Sequence, residues 1–302
     1  MLILNPINMI GYMERLVLTV KSQPLWFLFF LVSFIVFASL SFYTFSDLLA
    51  IQSLDREMFF WFLLVGFIAQ TIDGALGMAY GVSSNSILLG IGIPPAIASA
   101  WVHFAQVFTS LASGISHLKL GNVDWSLAKR LLIPGVLGAV IGAFLLSSID
   151  GNQVKPYIAV YLMILGGIII RKVFRKPKRA FDKQAKSLPY LATVGGFVDS
   201  IGGGGWGPVV NSTLMGKGQV PRKAIGTGNF VEIFVSLAST STFFFFVHEL
   251  SLAPILGLII GGVIASPFAA LICKKLNPKV LMLMVGLLVI GLSIRTFYLS
   301  VQ

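Results

Sequence analysis

The sequence predicts an all-α polytopic membrane protein: two inverted-topology repeats with glycine-broken short helices, plus one extra N-terminal helix. Three observations carry that expectation: an apolar composition, a series of uncharged runs of roughly bilayer length, and an internal repeat. Of 302 residues, 56% are hydrophobic and only 11% charged, with 25 Phe and 31 Gly, and mean hydropathy is +0.91. Soluble domains carry about 25% charged residues, so the solvent for most of this surface is lipid. The net charge of +11 sits mainly in loops between apolar runs. The tendency of Lys and Arg to stay on the cytoplasmic side explains that excess, and no exposed basic face calls for nucleic acid. Cys273 is the sole cysteine, which excludes an intrachain disulfide and any cysteine-based metal cluster. No metal or cofactor is expected.

Taken in order, residues 25–45 form an apolar stretch long enough to span, with no small-residue cleavage pattern after it, and read as a retained helix within an N-terminal segment, 1–57. The first repeat, 58–170, holds apolar runs at 58–72, 79–93, 96–117, 127–147 and 154–170. The second, 188–302, holds them at 188–201, 206–215, 224–247, 252–273 and 278–298. The first two runs of each set are short and joined by a glycine-rich break; two short crossings or a re-entrant hairpin fit equally. Between the repeats, 171–187 is a loop with eight basic residues, expected in the cytoplasm. Working outward from it, every basic loop falls inside if each short pair returns the chain to the side it left. The N-terminus is then cytoplasmic and the C-terminus outside.

A shift of 126 positions lays residues 73–113 over 199–239 without a gap, and 16 of the 41 positions are identical. Asp73/Asp199, Gly77/Gly203, Gly81/Gly207, Asn85/Asn211 and Pro95/Pro221 are among them. Beyond the next loop the shift is 124, keeping Gly138/Gly262, Lys155/Lys279 and Arg171/Arg295. Pro95 is expected outside and Pro221 inside, so the repeats have opposite sidedness. Inverted repeats with matching glycine-interrupted segments are the pattern of secondary transporters, with substrate near the midplane between the halves.

The breaks supply candidate residues. Glycine permits unwinding and leaves amide N–H groups to face a ligand, and helices restarting near Val82 and Pro208 aim positive ends inward, which suits an anion. The same glycines also suit close helix packing. The long helix after each pair carries a polar stripe: His103, Gln106, Ser110 and Ser113 in one repeat, Asn229, Glu232, Ser236 and Ser239 in the other. Positions 103/229 and 106/232 are equivalent, so the stripes are expected to face each other across a pseudo-two-fold axis. Ionisable groups within apolar spans are expensive and line pathways, although an ordinary interhelical hydrogen bond also accounts for His103. The expected binding set is Gly77, Gly81, Asn85, His103 and Gln106 with Gly203, Gly207, Asn211, Asn229 and Glu232. Glu232, His103, Asp73 and Asp199 are the candidates for a coupling proton, and capping of the restarting helices is the favoured role for the two aspartates. No Lys or Arg occurs in 58–117 or 188–216, so the anion would be held by amides, Asn and Gln side chains, a hydroxyl and a protonated His103.

The duplicated Asp-containing, glycine-rich break, followed by the Gly-Ile-Pro-Pro-Ala turn at 92–96 and its partner at 218–224, resembles the sulfite exporter family of the TauE/SafE type. The Ile-Gly-Thr-Gly-Asn-Phe stretch at 225–230 matches that family's second repeat. The resemblance runs from about Trp61 to the C-terminus. It implies a transporter of sulfur-containing anions in the bacterial or archaeal plasma (inner) membrane. The first break departs from the family pattern, with Met78, Ala79 and Tyr80 in place of a richer glycine run. The expected function is therefore secondary transport of sulfite, a sulfonate or a similar anion by alternating access, with another small organic anion as the alternative. An intramembrane enzyme fits worse, since neither His-Glu-x-x-His nor Gly-x-Ser-x-Gly occurs. Lipid, the anion and a coupling proton are the expected partners; a homodimer stays open.

Overall fold

The computed structural model describes residues 56–76, 78–174, 185–247, 251–275 and 278–302, which belong to one compact unit; the expected helix at 25–45 and Gly77 lie outside them. Among the described residues all regular structure is helical: α1 (Arg56–Leu76), α2 (Tyr80–Gly90), α3 (Pro95–Lys119), α4 (Trp125–Ser148), α5 (Gly151–Val173), α6 (Ser187–Gly202), a π-helical turn (Trp206–Asn211) running into α7 (Ser212–Gly216), α8 (Pro221–Phe246), α9 (Leu252–Lys275) and α10 (Pro278–Ser300).

Local chemistry sets these boundaries. Asp124 caps α4 by accepting from the Leu127 amide, and Asp150 caps α5 by accepting from Asn152. Equivalent prolines, Pro95 and Pro221, open α3 and α8, where no amide donor is needed. The turns before them contain equivalent left-handed glycines, Gly92 at φ 102° and Gly218 at φ 99°. The sequence repeat is thus a repeat of backbone geometry.

The helices α4, α5, α8 and the 282–300 part of α10 are long and apolar enough to cross a membrane. By contrast α2 has 11 residues, about 16 Å at 1.5 Å per residue, roughly half the hydrocarbon thickness. The π turn with α7 is equally short.

Each repeat buries itself largely against the other. α1 packs on α9, α6 on α4, α3 on α8 and α5 on α10. Exchanging equivalent helices (α1 with α6, α3 with α8, α4 with α9, α5 with α10) leaves this pairing unchanged. Glycines make the first two contacts close: a methyl added at Gly66, Gly257 or Gly261 in α1–α9, or at Gly138, Gly142 or Gly196 in α4–α6, would fall within 2.6 Å of a facing carbonyl oxygen. Polarity is arranged for lipid. His103, Asp199, Asn211, Ser236 and Glu232 are buried, whereas Ile133, Leu137, Ile164, Leu287 and Ile294 are exposed.

Candidate functional site

The two breaks are capped by their own aspartates. Asp73 Oδ1 accepts from the amides of Ala79 at 2.7 Å and Tyr80 at 3.1 Å. Asp199 Oδ1 accepts from the equivalent amides of Gly205 at 2.6 Å and Trp206 at 2.8 Å. The helices therefore restart at Tyr80 and Trp206, two residues before the expected Val82 and Pro208, because the carboxylates satisfy the first amides and allow helical turns to form there. Pro208 remains in the first turn. The amides of 79–80 and 205–206 already hold a carboxylate, so they are not open to a second anion; the capping role expected of Asp73 and Asp199 is the one their contacts supply.

The capped ends cross each other. A Cβ on Gly204 would lie 2.1 Å from the Val82 amide nitrogen, one on Gly81 2.5 Å from the Gly203 carbonyl, and one on Gly207 2.6 Å from Met78 Cα. Backbone meets backbone at two related points, so the close-packing role of the glycines is realised along with their place beside the cavity. Equivalent aromatics tie the ends down: Tyr80 OH donates to Leu258 O of α9 at 3.4 Å, and Trp206 Nε1 to Gly228 O of α8 at 3.1 Å. Gly203 is left-handed at φ 64° and packs on Asn85, whose Nδ2 donates to Gly202 O at 2.5 Å.

Beside the crossing lies a cavity of about 10 Å³, lined among others by Asp73, Met78, Gly81, Gln106, Asp199, Gly204, Gly207 and Glu232. That is room for roughly one water. Gln106 Nε2 donates to Glu232 Oε1 at 2.6 Å, so the equivalent positions 106 and 232 do meet, as the stripes led one to expect. Positions 103 and 229 do not. Asn229 Nδ2 turns to Ser113 Oγ at 2.7 Å, and His103 reaches Asp199 instead, Nε2 to Oδ2 at 3.2 Å. Four expected binding residues thus border the cavity directly (Gly81, Gln106, Gly207, Glu232), while Asn85, His103, Gly203, Asn211 and Asn229 stand behind it. Asn211 is buried against Gly228 with neither side-chain atom hydrogen bonded.

His103 is held at both ring nitrogens. Nδ1 lies 2.8 Å from the Ser99 carbonyl oxygen and 3.2 Å from Ser99 Oγ, while that hydroxyl donates to Ser200 O at 2.5 Å. Both ring nitrogens therefore face acceptors.

Two features escaped the sequence reading. The expectation of no nearby cation came from searching the broken segments alone; folding brings Lys172 Nζ of α5 against Met78 Sδ, beside the cavity. Tyr161 of α5, half-buried, directs a buried and unpartnered hydroxyl toward Gly205. Neither lies near a break in the chain, and neither has a like residue in the second repeat, where the shift of 124 gives Thr296 and Val285.

The family described as Sulfite exporter TauE/SafE matches residues 62–296. The chain belongs to the TauE/SafE family. Relatives of this TauE/SafE chain include the probable membrane transporter protein YtnM of Bacillus subtilis (strain 168), 41% identical over 78% of this chain and 81% of that protein. The probable membrane transporter protein YunE of the same organism is 21% identical over 78% of this chain and 96% of its own, and the probable membrane transporter protein ORF9 of Sinorhizobium sp 24% over 72% and 85%. No solved structure matches the chain. With its apolar helices, this is a multi-pass membrane transporter of the TauE/SafE family.

Proposed function

We propose that the chain is a secondary transporter that moves a small sulfur-containing anion such as sulfite or a sulfonate across the plasma membrane by alternating access, the two inverted repeats rocking about the crossed breaks, without catalysis. The observation that carries the reading is the meeting of Gln106 and Glu232, equivalent residues of the two repeats, over a cavity walled by the glycines of both breaks. A small volume at the interface of two repeats is where an alternating-access transporter binds its substrate. The inside N-terminus and outside C-terminus follow from the basic loops under the same reading.

The carboxylates bear on coupling. Asp73 and Asp199 are offset by the amides and helix ends they cap, whereas Glu232 has one amide side chain and, among the described residues, no ion-paired cation. A charged carboxylate in such a place is costly, and an anion beside it more so. A proton taken up by Glu232, or passed from the His103–Asp199 pair, removes that repulsion as the anion enters, with Gly81, Gln106 and Gly207 as its nearest contacts.

The test is uptake of radiolabelled sulfite, thiosulfate and a small sulfonate into proteoliposomes holding the purified protein, beside a Gly207→Leu variant whose side chain would fill the crossing. Flux of a sulfur anion that the variant abolishes supports the reading; no flux under either pH gradient defeats the sulfur-anion assignment and returns the choice to other organic anions. Glu232→Gln, which can keep the Gln106 contact, is expected to transport with its pH dependence lost. Full pH dependence in that variant would remove Glu232 from coupling.

A further inference from the structure

The cavity is not framed alike on its two sides. At position 78 the first break has methionine where the second has Gly204, and only the first has a cation behind it. Met78 is buried at 9% exposure and lines the cavity. Its sulfur is flanked by Lys172 Nζ and, at 3.8 Å, by Ser212 Oγ. Gly207 lies on its backbone. Lys172 is half-buried at the end of α5 that leads into the basic loop, and among the described residues no carboxylate lies within ion-pairing distance of it. An ammonium carries three donors and no acceptor, and a thioether is a weak acceptor, so this cation retains most of its capacity for an anion. Methionine is unbranched and flexible; it can swing aside without moving the backbone that Gly207 grips.

We infer that Lys172 forms a second anion site in series with the cavity, and that Met78 is the movable plug between the two. The inference rests on the transporter reading for its purpose, and its ligand class is a small oxyanion, met by the Lys172 ammonium; the Ser212 hydroxyl, on the far side of the plug, donates to the Gly207 carbonyl at 3.2 Å. An anion held at Lys172 waits outside the carboxylate-lined cavity until Met78 rotates. Because Gly204 and Thr296 hold the equivalent positions, the repeat supplies neither this plug nor this cation a second time among the described residues, and the site is one-sided.

The experiment needs no knowledge of the natural substrate. In a Cys273→Ser background, Met78→Cys is reacted with an anionic sulfonatoethyl and a cationic trimethylammonioethyl methanethiosulfonate, with and without Lys172→Gln or Lys172→Arg. Each variant is first shown to elute as one species in detergent, and Ser212→Cys is the second reporter if Met78→Cys does not. The anionic reagent is expected to react faster, Lys172→Gln to lower the anionic-to-cationic rate ratio about tenfold, as focused charge does in a low-dielectric cleft, and Lys172→Arg to restore it. An unchanged ratio in Lys172→Gln, or a reporter that neither reagent reaches, overturns the proposal. Sulfur-anion flux through the wild-type protein is measured in parallel: its absence defeats the transporter reading while the labelling ratio still judges Lys172.

Discussion

The two breaks share a sequence pattern and a cap, yet they differ in how completely they are closed. In the second, Asp199 is fully buried; one oxygen holds two amides and the other meets His103. In the first, Asp73 is partly exposed and makes the same two amide contacts, but the residue equivalent to His103 is Asn229, which serves Ser113. One reason is at hand. Position 200 is serine and bonds to Ser239, whereas its counterpart is Gly74, so Ser113, the counterpart of Ser239, is left to take Asn229. The comparison teaches that one duplicated framework can hold a rigid half and a looser half, differing by a few side chains.

That contrast can be broken or sharpened at six positions. The largest effect is expected for Gly204→Val, since even its Cβ would overlap the Val82 amide. No relaxed position exists for it without parting the breaks, and loss of single-species elution in detergent is expected. Gly167→Ala, with nothing within 4 Å, is expected to change stability by no more than about 0.5 kcal/mol. Next, Asp199→Ala removes a cap and strands His103, and is expected to cost on the order of 3 kcal/mol or more; Asp73→Ala loses only the cap, about 1 kcal/mol. Thermal unfolding of both in detergent measures the difference, and equal losses would erase the distinction drawn between the breaks. His103→Asn gives the first repeat the second repeat's residue and is expected to cost about 1–2 kcal/mol. Ser113→Ala leaves Asn229 Nδ2 without its acceptor, about 1 kcal/mol, and only the Gly167→Ala control is expected to change less.

Much of this architecture was legible in the sequence because lipid and backbone hydrogen bonding leave few choices. Ten apolar runs became helices within a few residues of their expected limits, and the repeat foretold that residues 106 and 232 would meet. Legibility failed where partners come from distant chain. The stripe argument paired His103 with Asn229, whereas the second carboxyl oxygen of Asp199, left over from capping its break, reaches the imidazole first. The helix restarts were set two residues late because the reach of Asp73 and Asp199 back to the amides six and seven residues on is not a pattern that periodicity reveals. Lys172 was invisible from the break, 94 residues away from Met78 in the chain.

The cross-pairing of helices has a consequence for how the molecule is made. α1 leaves the ribosome well before α9, the surface it buries against. Until then Gly66 and its neighbours have only lipid or a provisional neighbour to cover them, and the first half of the chain is an unfinished object waiting in the bilayer for its complement. The linker at 175–184 should therefore be a dispensable covalent bond: two halves expressed from separate messages, divided there, are expected to find each other and restore the fold, while either half alone is expected to be degraded.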